Sequence, residues 1–90
     1  MQTRAQIRVK GIVQGVGFRY FVYRRALQYN LGGYVSNLPS GDVEILAEGE
    51  RSALEQLIAD VKVGPRSSSV TDVFIEWKNA DGTLHSFDIK

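Results

Sequence analysis

Polar and apolar residues alternate between Thr3 and Lys10. Ala5, Ile7 and Val9 fall on one side, and Arg4, Gln6, Arg8 and Lys10 on the other. A period of two predicts a strand with one buried face. Gly11 ends the pattern and is soon followed by Gly15 and Gly17, so the next segment can bring its backbone close to a bound group. Residues 18–30 carry two signals. Phe18, Tyr20, Phe21, Val22 and Tyr23 favour a strand by residue type, whereas Phe18, Val22, Ala26 and Tyr29 recur at helical spacing. Asn30 and Gly32 supply a helix stop, and the periodicity predicts a helix. Tyr34–Asn37 reads as a short strand, Leu38-Pro39-Ser40-Gly41 as turn chemistry, and Asp42–Ala47 as a second alternating strand, together an antiparallel hairpin. Ser52 and Glu55 have capping-box spacing, with a helix start one or two residues earlier equally open, and Leu54, Leu57, Ile58 and Val61 mark an apolar helical face. Gly64-Pro65 stops that helix. Val70–Trp77 is β-branched and aromatic. A turn at Asp81-Gly82 leads to a last short strand within Leu84–Ile89.

The order strand, helix, strand, strand, helix, strand predicts an α+β fold: a ferredoxin-like βαββαβ sandwich, with two helices on one face of an antiparallel sheet and a short C-terminal strand. The 90 residues leave room for one domain, spanning 1–90. Asp42, Glu44 and Glu48 alternate with the apolar residues of the third strand, which places them on a solvated sheet face.

Composition narrows the chemistry. A net charge of +1 lacks the basic excess of a duplex-binding module. The chain has no Cys, hence no thiolate nucleophile, disulfide framework or zinc knuckle, and its single histidine, His85, cannot build a multi-histidine metal site. No apolar run approaches the ~20 residues that span a bilayer, and residues 1–15 do not form a signal peptide. The expectation is a cytoplasmic monomer with no metal, cofactor, membrane or nucleic-acid partner.

The informative stretch is Gly11–Arg19, Gly-Ile-Val-Gln-Gly-Val-Gly-Phe-Arg. A glycine-rich turn between a strand and a helix N-terminus can aim several N–H groups at one anion, and the helix dipole adds partial positive charge there. That dipole repels a cation in the first turn, so Arg19 is misplaced unless an anion lies between. Its planar fork also matches a phosphate. Spacing alone leaves an anion cradle and a plain turn equally open. The loop lacks the Lys-Ser/Thr ending of a Walker sequence and the third glycine of the dinucleotide fingerprint. Asn37, at the end of a strand before the Pro39 turn, reads first as a turn residue. In a ferredoxin-like topology the end of that strand lies near the first loop, where the amide can accept from a water and donate to an oxyanion.

Val9-Lys10-Gly11 followed by Val13-Gln14-Gly15-Val16-Gly17-Phe18-Arg19 resembles the first acylphosphatase signature. Leu31, Gly33, Val35 and Asn37 resemble its second block, and Gly41, Val43-Glu44, Gly49, Gly64-Pro65 and Val70 continue the likeness over nearly the whole chain. The resemblance implies hydrolysis of acyl phosphates, small carboxyl-phosphate mixed anhydrides. It implies phosphate binding by the backbone N–H groups of Gln14, Gly15, Val16, Gly17, Phe18 and Arg19, with Arg19 as the phosphate-binding arginine and Asn37 as the water-positioning asparagine. Three features depart from the family pattern: Ser68 where a small Ala is common, Asp42 where Ser or Thr is common, and a short C-terminus at Lys90. Two other readings remain. Acylphosphatase-like domains also serve larger carbamoyl-transfer enzymes and act on carbamoyl phosphate. Gly17–Tyr23 partly imitates the aromatic strand motif of RNA-binding ferredoxin-like domains, although it lacks the leading cation at Val16 and falls where a helix is predicted.

Overall fold

A strand with one apolar edge needs a cover, and two helices provide it. In the computed structural model, which describes residues 1–90, the elements run β1 (Gln2–Ile12), α1 (Phe18–Gln28), β2 (Gly32–Asn37), β3 (Val43–Glu50), α2 (Arg51–Val63), β4 (Ser69–Asn79) and β5 (Phe87–Ile89). The five strands form one sheet in the order β4-β1-β3-β2-β5. Ala5, Ile7 and Val9 of β1 lie opposite Ala47, Ile45 and Val43 of β3 in antiparallel register. All six are buried, beneath Phe18, Val22 and Ala26 of α1 and Leu54, Leu57, Ile58 and Val61 of α2. The alternation in the sequence thus becomes a two-layer sandwich with one hydrophobic core.

The sheet is mixed rather than wholly antiparallel, because β5 runs parallel to β2. The chain leaves β4 at one edge, crosses the end of the sheet through residues 80–86 and enters β5 at the opposite edge. It therefore starts β5 from the same end as β2. This crossing explains a second departure from expectation. Glu48 is 6% exposed rather than solvated. Its carboxylate accepts from Arg4 Nε at 2.9 Å and from the backbone N–H groups of Asp81 and Gly82 at 3.3 and 3.1 Å. Arg4 Nη2 reaches Asp81 at 2.6 Å. A buried carboxylate is tolerated when its lone pairs are filled in this way.

Local expectations meet the structure unevenly. The helix signal of residues 18–30 wins over strand propensity, because Phe18, Val22 and Ala26 stack on one face over the sheet. α1 ends two residues early, and Asn30 takes the left-handed conformation at φ 57°. The Ser52–Glu55 capping box does not form. α2 begins at Arg51 with Glu50 as an extended N-cap that makes no side-chain capping bond, and Glu55 pairs with Arg51 at 3.2 Å. His85 is exposed.

Candidate active site

The carboxyl ends of β1, β2 and β5 and the N-terminus of α1 meet at one end of the sandwich. β1 delivers the five-residue connection 13–17 to α1. Val13 at its start and Phe18 at its end are each 1% exposed, so both ends of the loop are pinned into the core and its middle is free to bulge outward. Gly15 and Gly17 adopt left-handed backbone at φ 74° and 78°. A Cβ at either position would meet nothing within 4 Å, so conformation rather than crowding calls for glycine there.

Gly17 is the N-cap of α1. No side chain caps this helix and no acidic residue stands in its first turn. The first bond that uses its carbonyl comes from the N–H of Phe21, at 3.1 Å. The N–H groups of Phe18, Arg19 and Tyr20 precede the first intrahelical bond and carry the positive end of the dipole. An uncapped terminus with a cation in its first turn is poised for an anion.

A cleft of about 240 Å³ opens at this terminus, lined by Val13, Gly15, Gly17, Phe18, Arg19, Tyr20, Asn37 and Ile89. At ~30 Å³ per liquid water that is room for about eight waters, more than one phosphoryl group displaces. Arg19 Nη1 donates to the backbone oxygen of Lys90 at 2.7 Å. This contact fixes one guanidinium nitrogen and leaves the rest of the fork available. Asn37 pairs with Val43 in the β2–β3 register and therefore shares the helix-facing side of the sheet with Val35. Its Oδ1 is buried and has no hydrogen-bond partner. No protein group donates to this acceptor, so it is left for whatever occupies the cleft. Tyr20 and Ile89 are large apolar side chains left 56% and 42% exposed at the cleft.

The structure thus brings Gly15, Gly17, Phe18, Arg19 and Asn37 to one cleft. Val16 packs against the core from within the loop. Gln14 is not among the residues lining the cleft. Its side chain turns to the neighbouring β2–β3 turn, where Nε2 donates to the carbonyls of Leu38 and Asp42, both at 2.8 Å.

Sequence reasoning missed two features. Asp42, expected on a solvated face, is 5% exposed. It accepts from Arg8 Nε at 2.7 Å and Lys10 Nζ at 3.2 Å, and these bonds, Arg8's first and Lys10's after it, hold its carboxyl below the ordinary carboxylate range. The register accounts for it: Val9 opposes Val43, so an acid one residue before Val43 falls opposite Lys10 and diagonal to Arg8. The apolar rim of Tyr20 and Ile89 gave no sign in the sequence, because Ile89 arrives from the far end of the chain.

The strand placement required by the RNA-binding reading does not occur, since Phe18–Tyr23 lies in α1. Comparisons with known proteins point elsewhere. The family model described as Acylphosphatase matches residues 5–89. An acylphosphatase of Chlorobaculum tepidum is 41% identical over 88 residues, covering 98% of this chain and 96% of the relative. The crystal structure of acylphosphatase from Bacillus subtilis superposes with a TM-score of 0.94 at 43% identity, covering 100% of this chain and 99% of that one. Full-length HypF, in its phosphate- and nucleotide-bound form, contains a similar region at 36% identity and TM-score 0.91, but the match covers only 12% of that protein. With the family model matched over residues 5–89 and relatives aligned over nearly their whole length, the chain belongs to the acylphosphatase family.

Proposed function

We propose that this chain hydrolyses acyl phosphates to a carboxylate and inorganic phosphate, working as one domain and as a cytoplasmic monomer on a small-molecule substrate, without a cofactor or a nucleic-acid partner. The observation that carries this reading is the buried, unpartnered Asn37 Oδ1 in the same cleft as Arg19 and an uncapped helix N-terminus. The net charge of +1 supports a small substrate over a nucleic acid, and no helix is long and apolar enough to cross a membrane.

In this reading the Gln14–Arg19 backbone and the Arg19 guanidinium hold the phosphoryl oxygens. Asn37 Oδ1 accepts a hydrogen bond from a water and points its oxygen at phosphorus. The water oxygen forms the new P–O bond as the bond to the acyl oxygen breaks. The carboxylate leaves with the electron pair, and the water's proton passes to a phosphoryl oxygen. A carboxylate needs no general acid to depart near neutral pH. The task that remains is to bring a nucleophile to an anionic centre, which is a matter of positioning and electrostatics. If an added general base restored turnover to a damaged site, the proton would need another destination.

The test is hydrolysis of benzoyl phosphate, followed by ultraviolet absorbance with a chelator present. Wild-type turnover should survive the chelator. Arg19→Ala should lose at least ~10²-fold in kcat/KM, because it removes charge-assisted hydrogen bonds worth about 1.5–3 kcal/mol each. A folded wild type with no turnover above the uncatalysed rate would overturn the reading. Carbamoyl phosphate turned over far faster than benzoyl phosphate would favour the alternative reading as a carbamoyl-phosphate module.

A further inference from the structure

The β2–β3 turn, residues 38–42, begins immediately after Asn37 and ends immediately before Val43, its partner across the hairpin. Whatever holds this turn also sets where Asn37 stands. Three sets of contacts hold it. The turn closes on itself through Leu38 N–H to the Asp42 carbonyl at 2.8 Å and Gly41 N–H to the Leu38 carbonyl at 3.0 Å. Those two carbonyls are the acceptors of the Gln14 amide, each at 2.8 Å. The Asp42 carboxylate is anchored to β1 by Arg8 and Lys10 at 2.7 and 3.2 Å. The Ser40 hydroxyl joins from the turn's tip, with Arg8 Nη2 and the Asp42 N–H both at 3.4 Å.

The contacts form a closed circuit. β1 carries Arg8 and Lys10 and then runs on into the loop that carries Gln14. One strand thus grips the turn from the open face of the sheet by charge and from the loop by amide. Arg8 and Lys10 more than offset the desolvation of the Asp42 carboxylate, because its carboxyl is held below the ordinary range. The same bonds supply a fixed distance between the loop and the end of β2.

We propose that the Gln14 amide and the Asp42 carboxylate are positioning residues for the hydrolysis: they hold the turn so that Asn37 Oδ1 stays in register with an anion in the Gly15–Arg19 loop. The inference rests on the acyl-phosphate reading above. Phosphate itself is held by the loop and Arg19, so loosening the turn displaces the water-bearing group and leaves the anion in place. The signature is a loss of kcat with phosphate affinity retained.

Asp42→Asn keeps the shape and the backbone carbonyl and removes the charge. Gln14→Met keeps the length of the side chain, removes the two amide bonds and leaves every buried charge paired, so it tests the circuit even if Asp42→Asn folds poorly. Each variant should lose about tenfold in kcat on benzoyl phosphate. Inhibition by inorganic phosphate should change by less than about threefold, and the Asn37 side-chain amide resonances should shift in each. The double variant should lose little more than the worse single one, since both break the same circuit. Three results would overturn the proposal: kcat within about twofold of wild type in folded Gln14→Met, phosphate affinity falling in step with kcat, or single losses that multiply in the double variant. A wild type without acyl-phosphate turnover would instead overturn the functional reading, so the two failures are distinguishable.

Discussion

The two strand-to-helix junctions of this molecule occupy equivalent places in its two halves and are built in opposite ways. β3 passes into α2 with no intervening residue. There the N-cap Glu50 is extended at φ −62°, ψ 138°, the Arg51 N–H donates to the Met1 carbonyl at 3.0 Å, and the Glu50 carboxylate accepts from the Met1 ammonium at 2.6 Å. β1 passes into α1 through five residues, a left-handed glycine cap and an uncapped first turn. Both helices carry an arginine near their start. Arg51 is stacked 3.6 Å above the centre of the Trp77 ring and paired with Glu55, whereas Arg19 meets only a backbone oxygen. The fold therefore does not by itself make an anion site at a helix N-terminus. Neither terminus has a side-chain cap; they differ in that the first N–H and the arginine of α2 find partners in the protein, whereas the Arg19 fork stays largely free beside the cleft.

The largest effect should come from treating the two arginines alike. Arg19→Ala should cut kcat/KM at least ~10²-fold, and Arg51→Ala should leave it within about twofold while costing about 0.5–1 kcal/mol of stability for the lost ring contact. Equal effects on activity would mean that the contrast between the junctions is not functional. Asn37→Ala should follow, with kcat reduced by about tenfold or more. Its thermal midpoint should hold or rise, because the substitution removes a buried acceptor that has no donor. A clear drop in midpoint would show that the amide supports the fold rather than the reaction. Gly17→Ala should act more on stability than either Arg51→Ala or Asn37→Ala, costing about 1–2 kcal/mol for a side chain in left-handed backbone, and should weaken inhibition by inorganic phosphate because relief of that strain turns the first N–H groups away. Denaturant titration alongside phosphate inhibition checks both halves of that expectation.

The contrast between the junctions also marks what could be read from the chain. The core was legible, since the spacing of Ala5, Ile7 and Val9 and of Leu54, Leu57, Ile58 and Val61 depends only on strand and helix periods. The helix over Phe18–Gln28 was legible for the same reason, despite its β-favouring residues. Gly15, Gly17 and Arg19 lie close together in sequence, and they meet in one cleft with Asn37. What resisted reading depends on strand neighbours. Asp42 and Glu48 looked solvated by alternation, but their partners come from β1 and from the 80–86 crossing. The direction of β5 depended on which edge the crossing reached. The Ser52–Glu55 motif failed because Glu50 and Arg51 already begin the helix, leaving Ser52 inside it. Local chemistry was readable; the partners brought by distant strands were not.

The smallest effect sharpens the comparison at the closed junction. The hydrogen bond from the Met1 ammonium, and after it that from Gln2, holds the Glu50 carboxyl below its ordinary value. A depressed carboxyl contributes stability that is present above its ordinary value and lost as pH falls through the folded one. Asp42, Asp60 and Asp81 are depressed as well, so the whole protein loses stability in acid, and a wild-type curve alone cannot assign the loss. Comparison with Glu50→Gln can, because the other three carboxyls titrate in both proteins and cancel in the difference. Denaturant titrations should show the wild type more stable than Glu50→Gln at neutral pH, with the gap closing as pH drops below the ordinary glutamate range. Turnover at neutral pH should be the same in both within about twofold, since this junction lies away from the cleft. A gap that stayed constant across the acid range would mean that the Glu50 charge contributes nothing and that shape alone closes the second helix terminus. A loss of turnover would mean that the two junctions, built so differently, are nonetheless coupled through the sheet between them.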